Sequence, residues 1–358
     1  MRRIGFYLLI ITVFLLAPLL ALPQKAVPAP AAAPTPTPTA VARAAAPYRA
    51  VWVSYLEWEQ VDFSSAEAFT QAIGTMLDNI QSIGATVVLA QVRPFGDALY
   101  PSDYFPFSHL CTGTQGQDPG FDPLALLVDA AHARDLQLEA WVNPYRIQAG
   151  QTPALCGASP ARLHPDWVRY TDTGAYLDPA SADVRQYIAD GVGELCARYA
   201  VDGIHFDDYF YPTTDPAFDA ADYAEQNYTL QYSDAARWLR QGTVDYLMPQ
   251  LYWGQEYIKN GDASHSFAQL AAAWAALPRA AGVKLYAGLG AYRVGAGDGS
   301  DAGSEWFSGH ALADQLALLA RLGVQGAGLY RYGSLFANSG APALAESEAE
   351  AIKGVWQG

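Results

Sequence analysis

Short apolar runs alternate along the chain with longer stretches in which apolar residues recur every three or four positions. The short runs have the length and composition of strands, and the longer stretches have the period of amphipathic helices. Strands are predicted at residues 50–54, 86–94, 137–145, 203–210, 245–253, 285–292 and 326–333. Helices are predicted at residues 66–83, 123–134, 182–199, 233–241, 265–276 and 311–322. This alternation predicts an α/β fold with parallel strands and crossover helices.

The N-terminal part of the chain does not follow this pattern. Arg2 and Arg3 precede an apolar run from Ile4 to Leu22, which is typical of a secretory signal peptide and is also about long enough for a membrane anchor. Residues 24–47 are rich in Ala, Pro and Thr and predict an extended linker. We expect an export segment at 1–23, the linker at 24–47, the α/β domain at 48–340 and a C-terminal helical tail at 341–358.

The α/β domain has the size of a TIM-type (β/α)8 barrel, but one unit is missing from the pattern. About 310 residues remain after the export segment and the linker, which is usual for this fold. The interval between Phe210 and Asp245 contains a helical pattern but no apolar strand. We therefore expect a barrel that lacks about one α–β unit around its fifth strand. It is open or seven-stranded, unless residues 213–232 replace that unit or the gene sequence carries a deletion.

Charge and composition narrow the classes of partner. The formal net charge is −15, which disfavours binding to the phosphates of nucleic acids. The 22 Tyr and 9 Trp residues fit a protein that stacks its rings on sugars, although aromatic residues also fill barrel cores. No His or Cys spacing is typical of a metal site, so we expect no metal and no cofactor. We expect a monomer whose partner is a polysaccharide.

Three cysteines occur in a chain that we expect to be exported, where disulfides can form. Cys111 and Cys156 fall in predicted loops after consecutive strands, and Cys196 lies on an apolar helical stretch. We predict a bridge between Cys111 and Cys156 and a buried free thiol at Cys196. The alternative is that all three are unrelated thiols.

Polar and aromatic residues collect at the ends of the predicted strands. In a (β/α) barrel the active site lies at the carboxyl ends of the strands, here called the mouth. A capping or surface role explains any one of these residues, but not their presence at nearly every strand end. The candidate substrate-binding residues are Arg93, Asp97, Asn143, Tyr145, His205, Asp208, Gln250, Tyr252, Trp253, Tyr292 and Tyr330. Of the adjacent pair Tyr252 and Trp253, one should present its ring to a sugar.

The segment GIHFDDYFYP contains the most specific candidate for catalysis. Alternate residues of a strand face the same side, so His205 and Asp207 should both point into the mouth. Asp208 then points away and holds a neighbouring loop or arginine. Glycoside hydrolysis needs two carboxyl groups that flank the scissile bond, and Asp207 is the candidate for the first.

The second carboxyl group is less well defined by the pattern. Glu305 lies in the loop after the sixth strand, where it should overhang the mouth. Glu256 and Glu57, which follow other strands, are the alternatives. Glu139 lies in the middle of a strand, and we interpret it as part of a buried structural ion pair.

Seven segments match, in order, the motifs of a known protein family. They are AVWVSYLEW, QVRPFGDALYPSDYFPFS, FDPLALLVDAAHARDLQLEAWVNPYRI, HPDWV, VDGIHFDDYFYP, VDYLMPQLYW and GLYRYGSL, and they cover residues 48–336. In this order they resemble glycosyl-hydrolase-like family 10. The resemblance implies a TIM barrel, export and hydrolysis of glycans, with bacterial peptidoglycan as the substrate class. The polar positions at the strand ends of the family correspond in this chain to Arg93, Asp97, Asn143, Tyr145, His205, Asp207, Gln250, Tyr252 and Trp253.

The chain departs from the family between DDYFYP and PQLYW. Members usually carry a helix and a fifth strand ending in Ser-Pro there, and this chain lacks both. Three functions agree with these observations: a glycoside hydrolase acting on cell-wall or surface polysaccharide, a glycan-binding barrel that has lost turnover, and a structural scaffold. The polar and aromatic mouth disfavours the scaffold.

Export provides a first prediction. Because Arg2 and Arg3 precede an apolar run, cell fractionation should place the protein outside the cytoplasm, either released or attached to the membrane. A soluble cytoplasmic pool of the full-length chain would contradict this expectation.

Overall fold

The computed structural model describes residues 47–207, 235–302 and 305–358. The expected export segment, all of the linker except Pro47, and Asp208 lie outside these ranges. Within them, no helix is long and apolar enough to cross a bilayer.

Within the described residues, seven parallel strands form one curled sheet. The strands of the described residues are, in chain order, β1 (Tyr48–Val53), β2 (Val87–Arg93), β3 (Gln137–Val142), β4 (Arg146–Ala149), β5 (Val168–Thr171), β6 (Gly174–Leu177), β7 (Gly203–Phe206), β8 (Tyr246–Leu247), β9 (Gln250–Leu251), β10 (Lys284–Leu285), β11 (Ala287–Gly290) and β12 (Gly326–Tyr330). The large sheet has the order β7-β3-β2-β1-β12-β11-β9. The seven predicted strands are therefore confirmed, and among the described residues the sheet has the form of an incomplete barrel, as expected.

The predicted fifth and sixth strands are each divided into two short pieces. β8 and β10 pair with one another, and β9 and β11 pair within the large sheet. Pro249 lies between β8 and β9, and proline has no N–H to donate to a ladder. Its carbonyl still accepts from the Gly288 N–H at 2.9 Å, which keeps the two strands together across the break.

The predicted helices are present with nearly the predicted bounds. The α-helices in the described ranges are α1 (Tyr55–Trp58), α2 (Ala66–Ser82), α3 (His109–Thr112), α4 (Pro123–His132), α5 (Pro160–Leu163), α6 (Ala182–Arg198), α7 (Ala235–Gln241), α8 (Phe267–Ala275), α9 (Ala311–Arg321), α10 (Tyr332–Phe336) and α11 (Pro342–Gln357). Side chains of Ser65, Asp122, Ser181 and Ser266 accept hydrogen bonds from the first turns of α2, α4, α6 and α8. Such N-caps satisfy backbone donors that the helix leaves unpaired.

The two faces of the sheet have different cores. Outward-facing strand residues such as Val51 and Val53 pack under the helices in the main hydrophobic core. Inward-facing residues form a smaller cluster around Trp52 inside the barrel. The indole has room there because Gly288 and Gly328 lack side chains: a Cβ on Gly328 would lie 2.5 Å from the Trp52 ring, and one on Gly288 would lie 3.1 Å from it.

An antiparallel sheet between β3 and α6 was not predicted from the sequence. The predicted third strand extended to Tyr145, whereas β3 ends at Val142 and the chain enters the sheet β4-β6-β5. Residues 146–177, here called the arm, form a small core together with α6, to which the arm contributes Ile147, Val168 and Leu177. The arm projects from the mouth end of the large sheet.

The predicted disulfide and the predicted burial of Cys196 were both wrong. Cys111 and Cys156 are both free thiols, so the predicted bridge is not formed. Cys111 is buried next to Asp97, and burial raises the pKa of its thiol to about 12. Cys196 is also free, but it is exposed rather than buried, because α6 buries a different face through Val184, Ile188, Gly191 and Leu195.

Glu57 joins the first strand to the last. Its Oε2 accepts from the Ser54 N–H at 2.8 Å and from the Ser54 hydroxyl at 2.6 Å. Its Oε1 accepts from the Arg331 guanidinium and from the Gly333 N–H at 3.0 Å. Since Ser54 follows β1 and Arg331 follows β12, this buried carboxylate fixes the two strands at the mouth.

Loss of this contact should destabilise the barrel. Glu57→Ala leaves Arg331 and the two backbone N–H groups unpaired, so the free energy of unfolding should fall by about 3 kcal/mol. Urea unfolding measures this change. Glu350→Ala is the control, because it removes an exposed pair with Lys353 at 3.8 Å and should cost less than about 0.5 kcal/mol. Equal effects of the two variants would show that Glu57 does not hold the strands.

Candidate functional site

Asp207 lies at the mouth, immediately after β7 and opposite β9. The Gln250 side-chain Nε2 lies 3.0 Å from Asp207 Oδ1 and 2.9 Å from Oδ2. The Asp207 side chain remains 19% exposed, so solvent and substrate can reach it. Hydrogen bonds donated to a carboxylate stabilise its charged form. The structure thus brings together two predicted site residues that are 43 positions apart.

His205 lies below Asp207 on the same face, but it is buried inside the barrel. The Trp52 indole N–H donates to His205 Nε2 at 3.3 Å, so Nε2 is the acceptor and Nδ1 carries the proton. Nδ1 then donates to the Tyr246 hydroxyl oxygen at 2.6 Å. Nε2 is also 4.0 Å from Asp207 Oδ2. Both ring nitrogens are therefore engaged with protein groups, which leaves neither for the predicted contact with substrate.

Burial determines the charge of this histidine. Desolvation lowers the pKa of His205 to about 3, so the ring is neutral at physiological pH. The Tyr246 hydroxyl in turn donates a hydrogen bond to Glu139 Oε2 at 2.5 Å. Glu139 was predicted to form a buried ion pair, but its partner is this phenol rather than a cation. Burial raises the pKa of Glu139, and a hydroxyl donor is compatible with either protonation state.

Glu305 braces the loop that follows β9. Its Oε2 accepts from the Gln255 N–H at 2.8 Å, and Asp298 accepts from the Gly254 N–H at 2.7 Å. A Cβ on Gly254 would lie 1.6 Å from Glu305 Oε1, so glycine is required for this close approach. Burial raises the pKa of Glu305, and the hydrogen bond from Gln255 opposes that shift. The two other candidates for the second carboxyl group lie elsewhere. Glu57 takes part in the contact between β1 and β12 described above, and Glu256 is exposed.

Three tyrosines from consecutive strand ends form a cluster at the mouth. The Tyr252 ring stacks on Tyr330 with centroids 5.7 Å apart and meets Tyr292 edge-on at 5.6 Å. Trp253 faces the other way, with its ring 5.7 Å from His265. Of the two adjacent aromatics, Tyr252 is therefore the one that lines the mouth.

The remaining predicted residues organise the loops around the mouth. Arg93 is fully buried with its guanidinium 4.2 Å from the Phe105 ring centroid, and burial lowers its pKa. Asp97 is also fully buried, and its Oδ2 lies 3.0 Å from His109 Nδ1. These contacts hold the loop after β2, so neither side chain is placed at the surface of the mouth.

Asn143 and Tyr145 have similar supporting positions. Asn143 donates from Nδ2 to the Pro94 carbonyl at 3.0 Å, which ties the end of β3 to the end of β2. Tyr145 packs against the core of the arm. Asp208 lies outside the described residues.

Comparison with known proteins identifies the family. The family model described as glycosyl hydrolase-like 10 matches residues 47–229 and 220–308. The chain belongs to the glycosyl hydrolase-like 10 family. The match divides into two segments close to the interval where the sequence lacks an α–β unit.

Two curated relatives of this glycosyl hydrolase-like 10 chain carry the name glycosyl hydrolase. YngK of Bacillus subtilis is 29% identical over 322 residues, which cover 71% of this chain and 62% of that protein. DigH of Escherichia coli K12 is 30% identical over 335 residues, which cover 71% of this chain and 75% of that protein. The chain thus spans less than two thirds of the length of YngK.

A solved structure supports the fold of this family member. The maltogenic α-amylase AmyB of Thermotoga neapolitana superposes with a TM-score of 0.53 at 11% identity, covering 87% of this chain and 77% of that chain. At this identity the likeness concerns the fold alone.

Sequence reasoning missed the residues that line the inside of the barrel below Asp207. Trp52, Trp141 and Tyr246 all surround His205. The signal available in the sequence was the inward set Tyr48, Ala50 and Trp52 on β1, since inward positions of a barrel must be filled.

The neutral state of His205 predicts a pH dependence of stability. Its pKa in the folded protein is about 3, below the ordinary value of about 6.5 in an unfolded chain. The unfolded chain therefore binds a proton as the pH falls below about 6.5, and the folded protein does not. Stability should be lost between about pH 6.5 and 3, by up to about 1.4 kcal/mol per pH unit.

Urea unfolding of wild type and His205→Gln at pH 7 and pH 5 measures this contribution. The wild type should lose more free energy of unfolding than the variant over this interval. His310→Gln is the control, because the His310 side chain is 58% exposed. Parallel losses in wild type and His205→Gln would show that His205 titrates normally.

Proposed function

We propose that this protein hydrolyses glycosidic bonds, with Asp207 as its catalytic nucleophile or base. The observation that carries the proposal is the position of Asp207: partly exposed at the mouth and held by Gln250 through both carboxylate oxygens. A carboxylate fixed in one orientation at the carboxyl end of a barrel strand can attack a sugar carbon or activate water. Membership of a family whose relatives are named glycosyl hydrolases supports this reaction.

Glu305 is the proposed general acid. A general acid must hold its proton near neutral pH, and burial raises the pKa of Glu305 in that direction. Its Oε2 accepts a hydrogen bond from the Gln255 N–H, which ties Glu305, from the loop after β11, to the loop that follows β9 and the Gln250 and Tyr252 strand end. Asp207 and Glu305 thus come from different loops, as two carboxyl groups on opposite sides of a bond would.

The proposed substrate is a cell-wall or cell-surface polysaccharide, with peptidoglycan as the first to test. Three exposed or partly exposed tyrosines at the mouth offer apolar faces for sugar rings. The N-terminal pattern of Arg2, Arg3 and an apolar run supports a location outside the cytoplasm, where such polymers occur.

A glycan-binding barrel without turnover is the second candidate. The described strands leave the large sheet with ends at β7 and β9, beside Asp207. Two assays with purified peptidoglycan separate the candidates: release of reducing ends, and sedimentation of the protein with the polymer. Binding without release, repeated over a panel of wall polysaccharides, would favour the second candidate.

Asp207→Asn tests the catalytic assignment. The amide keeps the shape of the side chain but is neither a base nor a nucleophile, so turnover should fall by about 10²–10⁴-fold. Circular dichroism and the thermal midpoint should show a folded protein. Asp78→Asn is the control, because Asp78 pairs with Arg134 on the surface and its loss should leave turnover unchanged. If Asp207→Asn retains most of the activity, Glu305→Gln and Glu256→Gln become the next variants.

A further inference from the structure

The hydroxyl group of Tyr252 is buried at the mouth without a hydrogen-bond partner among the described residues. Its oxygen has essentially no solvent-accessible surface. A buried hydroxyl that lacks a partner costs free energy, and folded proteins rarely leave one unpaired. Such a group inside a candidate active site points to a partner that arrives with the substrate.

The surrounding residues hold this hydroxyl in one place. The Tyr252 ring packs against Tyr330 and Tyr292. Behind it, Gly290 leaves the necessary space, since a Cβ there would lie 3.1 Å from the Tyr252 Cβ. The side chain is therefore fixed by packing rather than by a hydrogen bond.

The hydroxyl is directed to the same part of the mouth as Asp207. Gln250 and Tyr252 are alternate residues at the end of one strand, so their side chains share a face, and Leu251 between them packs in the outer core. Gln250 binds the Asp207 carboxylate. The charge of Asp207 also lies close enough to raise the pKa of Tyr252, after the larger effect of burial.

We propose that the Tyr252 hydroxyl donates a hydrogen bond to an oxygen atom of the sugar residue bound at Asp207. The inference rests on the proposed function, because it requires a polysaccharide in the mouth. It assigns to Tyr252 the recognition of a polar sugar atom, in addition to the apolar contact that its ring provides. Tyr252 is a hydrogen-bond donor in this assignment and neither an acid nor a nucleophile.

The protonation state of Tyr252 supports the role of donor. Burial and the neighbouring Asp207 carboxylate raise its pKa well above the ordinary value for tyrosine. The hydroxyl therefore keeps its proton throughout the pH range in which glycoside hydrolysis is measured. Removing it should lower the rate without changing the shape of the pH profile.

Tyr252→Phe separates this role from a structural one. The variant keeps the ring and removes only the hydroxyl, so kcat/KM on the wall polysaccharide that the wild type cleaves should fall roughly tenfold or more. The thermal midpoint should stay the same or rise, because the lost hydroxyl has no hydrogen-bond partner among the described residues. The pH profile of kcat should keep its wild-type shape.

Tyr100→Phe is the matched control. The Tyr100 hydroxyl is also buried without a partner among the described residues, but it lies on the loop after β2 with its ring 5.6 Å from Tyr199. This variant should show the same direction of change in the thermal midpoint and no change in kcat/KM. The pair of variants therefore compares the same chemical deletion inside and outside the mouth.

The outcomes distinguish the inference from the proposed function. An active wild type with unchanged kcat/KM in Tyr252→Phe overturns the inference and leaves the proposed function intact. A fall in the thermal midpoint with unchanged kcat/KM shows a structural hydroxyl, and an altered pH profile shows that Tyr252 titrates. Each of these two results also overturns the inference.

Binding extends the test to a protein without turnover. If the wild type binds peptidoglycan but releases no reducing ends, the proposed hydrolysis fails, and sedimentation of Tyr252→Phe with the same polymer decides the inference. Weaker binding than wild type supports the donor role, and equal binding overturns it. A wild type that neither cleaves nor binds any polysaccharide of the panel overturns both.

Discussion

Side-chain hydrogen bonds across the gap between β7 and β9 are the interactions on which the rest of the structure depends. In the described part of the chain, no backbone ladder connects these two strands. His205 bonds to Tyr246 at 2.6 Å, and Gln250 bonds to both oxygens of Asp207. The contacts that hold the two ends of the sheet together therefore also place the candidate catalytic carboxylate.

The inside of the barrel explains how polar groups can serve that purpose. Trp52 fills the space that two glycines leave and donates to His205, which remains neutral because desolvation lowers its pKa to about 3. A chain of hydrogen bonds runs from Trp52 through His205 and Tyr246 to Glu139, and each donor in it has one acceptor. A buried network that is satisfied in this way is rigid and holds a single geometry. Asp207 lies next to this network, two residues after His205, where the interior of the barrel opens to solvent.

Unpaired buried polar atoms occur close to the candidate site as well as in its supporting loops. Within the part of the chain that the structure describes, the Tyr252 hydroxyl has no partner inside the mouth, and Arg93 and Asp97 each have one atom without a partner beside the loop after β2. Such groups lower stability, and folds tolerate them at functional sites, where a ligand completes their hydrogen bonding. The ends of β7 and β9 thus carry both the contacts that join these two strands and the candidate site residues Asp207 and Tyr252.

The sequence by itself determined the seven strands, the long helices and the family, because periodicity, N-caps and ordered motifs are local signals. The helix predicted at 66–83 ends at Ser82, and Asp207, Gln250 and Tyr252 were identified at strand ends. Only the tertiary structure decided which of these groups meet. In the folded protein His205 is buried, and Glu57 pairs with Arg331, 274 positions away in the chain. The cysteines are free thiols, and residues 146–177 form the antiparallel sheet of the arm. The physical reason is that the partner of a buried polar group is chosen by strand order and register, which bring together residues far apart in the chain.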